Sequence, residues 1–253
     1  SNVLVLDVKC GRGAFMQRPA DARALARAMV SIGTSAGVRT ECFITRMDAP
    51  LGRAVGNAVE IAECIEILSG RGPADLSALI ITLASRMVLV GGKADSAAAA
   101  EHMVRHALAC GAAREKLKQM ITGQGGDASV VDEPRRLPRA RHVHTITAAR
   151  DGFVQSQDAL LVGRTAVALG AGRDKKSDPI DLAAGVLLHK KPGDRISAGD
   201  PIMDLLYNDP GRLAPAQHLA QQATVIGDKA PADAPLVIGW VHDSGEQMFV
   251  AIS

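Results

Sequence analysis

Aromatic residues are nearly missing from this sequence: one tryptophan, one tyrosine and four phenylalanines among 253 residues. A chain so poor in stacking surfaces is badly equipped to hold the bases of single-stranded nucleic acid. Its core must be filled by Ala, Leu, Val, Ile and Met instead. An excess of either charge is also lacking. The 29 basic and 27 acidic residues leave a formal charge of +2, so nothing here draws a polyanion, and no nucleic-acid partner is expected. The four cysteines, Cys10, Cys42, Cys64 and Cys110, form no C-x-x-C pair. That spacing argues against a zinc site or disulfide framework and fits the reduced thiols of a cytoplasmic protein. Long hydrophobic runs are absent too. The most apolar stretch, Leu76 to Val90, is interrupted by Ser77, Thr82, Ser85 and Arg86 and is too short to span a bilayer. No signal peptide is visible, and no membrane partner is expected.

What is present suffices for a sizeable core, since 47% of the residues are hydrophobic. Ser1-Asn2 leads straight into Val3-Leu4-Val5-Leu6, a run expected of a strand buried on both faces of a parallel sheet. Natural α/β enzymes seldom open inside such a strand without a methionine. The expectation is a boundary with further sequence upstream; a small natural domain beginning with this strand is the alternative. The loop around Gly11-Arg12-Gly13 follows. A helix over Pro19 to Ala36 is expected to present Leu25, Ala28, Met29 and Ile32 on one face, with Gly37 as a C-cap. Val38 to Thr45 reads as a second strand, so the β-loop-α-β order implies a parallel crossover. Pro50 to Gly70 reads as a loop and a helix with Val59, Cys64 and Leu68 among its apolar positions. Helices over 74–90, 94–110 and 113–122 come next.

The character changes at Gly123. Residues 123–141 carry Gly-Gly-Asp, two prolines and several arginines with little periodicity, as a crossing segment does. Beyond it, His144 to Ile146 reads as a strand and Ser156 to Leu169 as a helix. Val186 to Leu206 reads as two strands joined around Pro192-Gly193-Asp194 and Ala198-Gly199-Asp200. Ala214 to Ala223 reads as a helix, and Val237–Val241 and Met248–Ile252 as closing strands. This later part has the composition of an α+β module.

Four phrases, in order, carry a resemblance. They are Asp7-Val8-Lys9-Cys10-Gly11-Arg12-Gly13-Ala14-Phe15-Met16, then Met47-Asp48-Ala49-Pro50-Leu51-Gly52-Arg53-Ala54-Val55-Gly56-Asn57-Ala58 with Glu60 and Glu63, then Gln124-Gly125-Gly126-Asp127, and last Leu169-Gly170-Ala171-Gly172-Arg173 with Asp178 and Ile180-Asp181. Together they resemble the thymidine and pyrimidine nucleoside phosphorylases over nearly the whole chain. The resemblance implies an α/β fold: a partial parallel sheet flanked by helices in residues 1–130, the later part of a catalytic domain, followed by a C-terminal α+β domain in 131–253. It implies phosphorolysis of thymidine or a related pyrimidine nucleoside to free base and (deoxy)ribose 1-phosphate, with phosphate as co-substrate. It leaves thymidine and uridine undistinguished.

The same resemblance places the phosphate cradle (a Lys-His-Ser and glycine-rich segment) and the Arg, Ser and Lys that grip the base upstream of this chain. No catalytic residue is therefore expected here, and the chain by itself is expected to be inactive. The resemblance puts Phe15 beside the C5 edge of the base, as an apolar wall; plain core packing is the alternative. It makes Leu51 and Ala54, through their carbonyl oxygens, and Glu63, through its carboxylate, part of a monovalent cation site for K⁺. A ring of oxygens suits so weakly polarising an ion. The alternative for Glu63 is a solvated surface acid. The family implies a homodimer formed through a helical domain outside this chain, so the chain alone is expected to be a monomer.

The remaining residues have plainer readings. Lys9 is expected to pair with a neighbouring carboxylate, and Asp127 to cap a loop. His142 and His144 read as partly exposed strand residues, and Asp178 and Asp181 as turn and helix caps. Cys10 and Arg12 depart from the family pattern. Cys10 is either an oxidisable thiol or a buried one, and Arg12 bears on access to the loop. Two other functions fit parts of the sequence. One is a phosphoribosyltransferase of the same fold. The other is a hammerhead-like carrier module, suggested by Lys190-Lys191-Pro192-Gly193-Asp194 and Ala198-Gly199-Asp200, although no carrier tripeptide surrounds either lysine.

Overall fold

The computed structural model describes residues 2–173 and 175–248. β1 (Val3–Cys10), α1 (Pro19–Ser35) and β2 (Arg39–Arg46) form the expected unit, with β1 and β2 parallel from Val3 opposite Arg39 to Cys10 opposite Arg46. α1 starts on Pro19, whose missing N–H costs nothing in a first turn. Its buried residues are Ala22, Ala26 and Val30. The expected face is thus rotated: Leu25 and Met29 lie at its flank, and Ile32 is 69% exposed. The cause is close approach. Small residues let the helix settle on the sheet, and at Gly33 an added Cβ would meet Thr40 Oγ1 at 1.9 Å.

β3 (Ala54–Gly56), α2 (Ala58–Leu68), α3 (Ala74–Val90), α4 (Ala97–Ala109) and α5 (Ala112–Gly123) follow. β3 lies where a loop was expected. In α2 the buried residues are Ala58, Ile65 and Ile67, while Cys64 is exposed, contrary to the apolar pattern. The crossing segment holds two short 3-10 turns, one opened by the Asp127 side chain accepting from Ser129 N at 2.9 Å.

Next come β4 (His142–Thr147), β5 (Gly152–Gln157), α6 (Ala159–Leu169), β6 (Gly185–Leu188), β7 (Arg195–Ile196), β8 (Pro201–Tyr207), α7 (Leu213–Ala223), β9 (Thr224–Gly227), β10 (Val237–His242) and β11 (Gly245–Met248). The helix expected from Ser156 begins at Ala159 instead. Asp158 is its N-cap, accepting from Leu160 N and Leu161 N at 2.9 and 3.1 Å. Ser156 and Gln157 end a strand. The two strands expected over 186–206 are three. Of the last expected strand, Met248–Ile252, only Met248 is described, as the final residue of β11, and residues 249–252 lie outside the described residues.

Contacts group the chain into two compact units built from interleaved segments. One comprises residues 1–48, 73–112 and 234–253 and holds a sheet of order β1-β2-β10-β11. β10 runs antiparallel to β2, so the sheet is mixed rather than parallel throughout, and residues far along the sequence complete it. Val8, Cys10, Ala22, Ala26, Val30, Cys42, Ile44, Ile238 and Val241 form its core. The Glu41 carboxylate is buried too, on the other face of β2 from Cys42 and Ile44. It accepts from Arg86 in a bidentate pair and from Trp240 Nε1 at 3.0 Å, and the Arg86 guanidinium lies 4.3 Å over the indole.

The other unit comprises residues 49–72 and 113–233. It holds two sheets, β3-β6-β8-β4 and β7-β5-β9, in which every pairing is antiparallel. Its core includes Val162, Val186, Met203 and Leu205, with Ala216, Ala220 and Ala223 of α7 packed among them. The chain is therefore α/β in its first part and α+β in its later part, as its sequence implies.

Candidate functional site

The loop between β1 and α1 begins where a parallel strand ends, the place where open α/β sheets hold ligands. Gly11 makes the turn. Its φ is +127°, and a Cβ there would meet Asp48 at 2.8 Å, so glycine satisfies both the conformation and the space. The Asp48 carboxylate accepts from Arg12 N at 3.1 Å. Gly13 N donates to Met47 O at 2.8 Å, and Gly11 N to Met16 O at 3.0 Å. A loop fixed at three points by its own backbone presents Phe15 at its tip, 101% exposed. Core packing, the alternative for Phe15, is thereby overturned: in a core starved of aromatics, this ring is left entirely in solvent.

The groups below Phe15 are already committed. Lys9 Nζ pairs with Asp7 at 2.7 Å and donates to Thr45 Oγ1 at 3.0 Å, while Thr45 donates to Asp7 at 2.5 Å. Lys9 thus takes the ion-pair role expected of it. Cys10 is 3% exposed, and burial, with the Asp48 charge beside it, pushes its thiol up. A protonated, enclosed thiol is a poor nucleophile, so the buried reading of Cys10 holds over the oxidisable one.

The second constellation surrounds the turn at residues 50–54. Glu63, in the second turn of α2, folds back to it: its Oε1 accepts from Arg53 N at 2.7 Å and from Ala54 N at 3.2 Å. Glu63 is therefore no solvated surface acid. It holds the amide side of the same turn that carries the Leu51 and Ala54 carbonyls. Arg53 anchors the turn on β6, donating to Leu188 O and His189 O at 3.2 and 2.7 Å, while Arg53 O accepts from Leu188 N at 2.7 Å. A residue that the sequence places only in a carrier-like turn completes the group. Lys191 Nζ donates to the carbonyls of Pro50 and Gly52, the latter at 2.7 Å. Backbone oxygens beside one carboxylate are donors of the kind a monovalent cation takes, and an ammonium already binds two neighbouring carbonyls, those of Pro50 and Gly52.

Other predicted residues have structural roles. Asp178 accepts from Lys175 N, and Asp181 from Ala183 N and Asn208 Nδ2, so both cap turns; the helix expected after Asp181 is instead a turn leading into β6. His142 lies against Tyr207 with ring centroids 5.3 Å apart. Lys190 donates to Arg195 O at 3.2 Å. Neither lysine of the carrier-like turn stands free at a tip.

Two family models match the chain: the a/b domain of a glycosyl transferase family over residues 2–114, and the pyrimidine nucleoside phosphorylase C-terminal domain over residues 153–227. The sequence is 44% identical over 208 residues to the pyrimidine-nucleoside phosphorylases of Staphylococcus aureus strains USA300, NCTC 8325 / PS 47 and COL. The chain belongs to the pyrimidine nucleoside phosphorylase family. The match covers 82% of this chain and 48% of each relative, so the chain spans about half the length of the curated relatives it matches. No helix among the described residues is long and apolar enough to cross a membrane.

Proposed function

We propose that these residues serve the phosphorolysis of a pyrimidine nucleoside, thymidine or a close relative. Phosphate displaces the base at the anomeric carbon, giving free base and a (deoxy)ribose 1-phosphate. The carrying observation is Phe15: a fully exposed aromatic, held by a rigid loop at the carboxyl end of a parallel strand. A ring in that place supplies an apolar wall for the C5 edge of a pyrimidine and sheds water when the base covers it. Leu51, Ala54 and Glu63 are the residues assigned to K⁺, which when bound supplies fixed positive charge that holds the loop carbonyls in one arrangement.

The bond-breaking groups in this reading are a phosphate cradle and a base-gripping Arg, Ser and Lys outside these 253 residues. The chain alone is therefore expected to release no base above buffer background. Turnover matching that of an intact relative refutes this. Assaying the complete gene product with thymidine or uridine plus phosphate, against phosphoribosyl pyrophosphate with base acceptors, separates phosphorolysis from phosphoribosyl transfer. In the complete protein, Phe15→Ala is expected to raise KM for thymidine by about 3–10-fold, the worth of one aromatic contact. An unchanged KM removes Phe15 from the base pocket.

A further inference from the structure

The turn at residues 50–54 is held from two sides by opposite charges. Glu63 binds its amide groups, at Arg53 and Ala54, and the Lys191 ammonium binds its carbonyl groups, at Pro50 and Gly52. The sequence builds this arrangement locally. Gly52 adopts φ +68°, a conformation that favours glycine, and the carbonyls of Pro50 and Gly52 both accept from one ammonium. Lys191 is delivered by strand register: Ala54 pairs with Leu187 and Gly56 with Gly185 in the antiparallel ladder of β3 and β6. Continuing that register past Leu188 sets residue 191 opposite residue 50. The turn after β6 then fixes the Lys191 backbone, whose N–H donates to Asp194 at 2.8 Å.

Pro50 and Gly52 flank Leu51, whose carbonyl belongs to the set assigned to K⁺. An ammonium and a potassium ion are alike in charge and in their preference for oxygen. Two such charges on carbonyls of adjacent residues repel one another. We propose that the Lys191 ammonium is the resident cation of this turn, and that an inorganic monovalent cation binds there only in exchange for it. The proposal rests on the assignment of Leu51, Ala54 and Glu63 to a cation. It adds that the chain carries its own tethered occupant, one that cannot diffuse away when potassium is scarce.

The test needs no substrate, so its outcome is independent of the phosphorolysis assay. Thermal unfolding of the 253-residue chain is measured in potassium chloride and in choline chloride at equal ionic strength. The wild-type midpoint is expected to be the same in both. Lys191→Met is expected to melt lower in choline chloride and to regain about 2–4 °C, saturably, in potassium chloride, as a roughly tenfold excess over the dissociation constant provides. Adding Glu63→Gln to Lys191→Met is expected to abolish the recovery. Lys191→Gln, which keeps a polar side chain, serves as a milder second variant. A saturable potassium-specific rise in the wild type as large as in the variants overturns the proposal, because the ion then binds beside the lysine. So does the absence of potassium recovery in both variants, including failure of both to fold in either salt, because potassium then does not replace the ammonium.

Discussion

Cys42 sits on β2 with no exposed surface, and burial pushes its thiol up to about 11 from an ordinary value of 9.0. The unfolded chain releases this proton from about pH 9, whereas the folded chain retains it until about pH 11. Between those values the unfolded state binds fewer protons, so stability is full below about pH 9 and falls as pH rises toward 11. Replacing the thiol with a methyl group removes that contribution. Urea midpoints of Cys42→Ala are expected to start lower than wild type at pH 8, because a small cavity opens, and to decline less steeply between pH 9 and 11. Equal slopes would show that the thiol does not titrate differently in the two states. At this scale the sequence shows four isolated cysteines but not their surroundings: Cys10 and Cys42 are buried, and Cys64 and Cys110 are exposed. It links Lys191 only to a carrier-like turn and not to residues 50–54, because one of two adjacent lysines before a turn looks like any solvated charge until the β3–β6 register is known.

Between α1 and β2 the backbone of Gly33 comes so near Thr40 that an added Cβ would lie 1.9 Å from its Oγ1. Gly33→Ala sets a methyl group against Thr40 and is expected to cost about 1–3 kcal/mol, the range for overpacking a closed site. Calorimetric melting of the variant checks this, and an unchanged Tm would mean that Thr40 swings aside freely. Helices are the most legible elements: the α3 span follows from the sequence to the residue, because seventeen residues without a breaker lie between Pro73 and Gly91. Short strands are not. The last two residues of β5 read as helix, because Ser156 and Gln157 look like helix-opening residues, while the side chain that caps α6 is Asp158. β3 and β9, three and four residues long, carry too little alternation to stand out, and their backbone groups are satisfied only by partners distant in sequence. The buried face of α1 departs from the periodicity for a related reason. Periodicity follows the large apolar side chains, whereas a helix that must come close turns its alanines inward.

The whole molecule is stitched in a way the linear order conceals. Residues 234–248 return to the first sheet, where Trp240 stands opposite Phe43. Cutting the chain at residue 130 therefore strips β2 of its antiparallel neighbour and removes Ile238 and Val241 from the core. The piece 1–130 is expected to be cleaved by trypsin at least tenfold faster than the same residues in the full chain, since a sheet edge and part of a core are laid open. Equal protection would show that the hairpin is an ornament. The division at residue 130 follows the family resemblance and the compositional change after Gly123, and neither records which strands find each other.

The scarcity of aromatic side chains has a practical consequence. The single indole, Trp240, belongs to one compact unit, packed on Phe43 and under Arg86. The single phenol, Tyr207, belongs to the other, at the end of β8 against His142. Each unit thus carries its own intrinsic chromophore. Emission from Trp240 and absorbance of Tyr207 give two optical channels, one for each unit, with no label and no engineered residue. Coincident transitions in the two channels mean that the interleaved segments make the units melt as one. Separated transitions mean that either unit keeps its structure after the other has lost it.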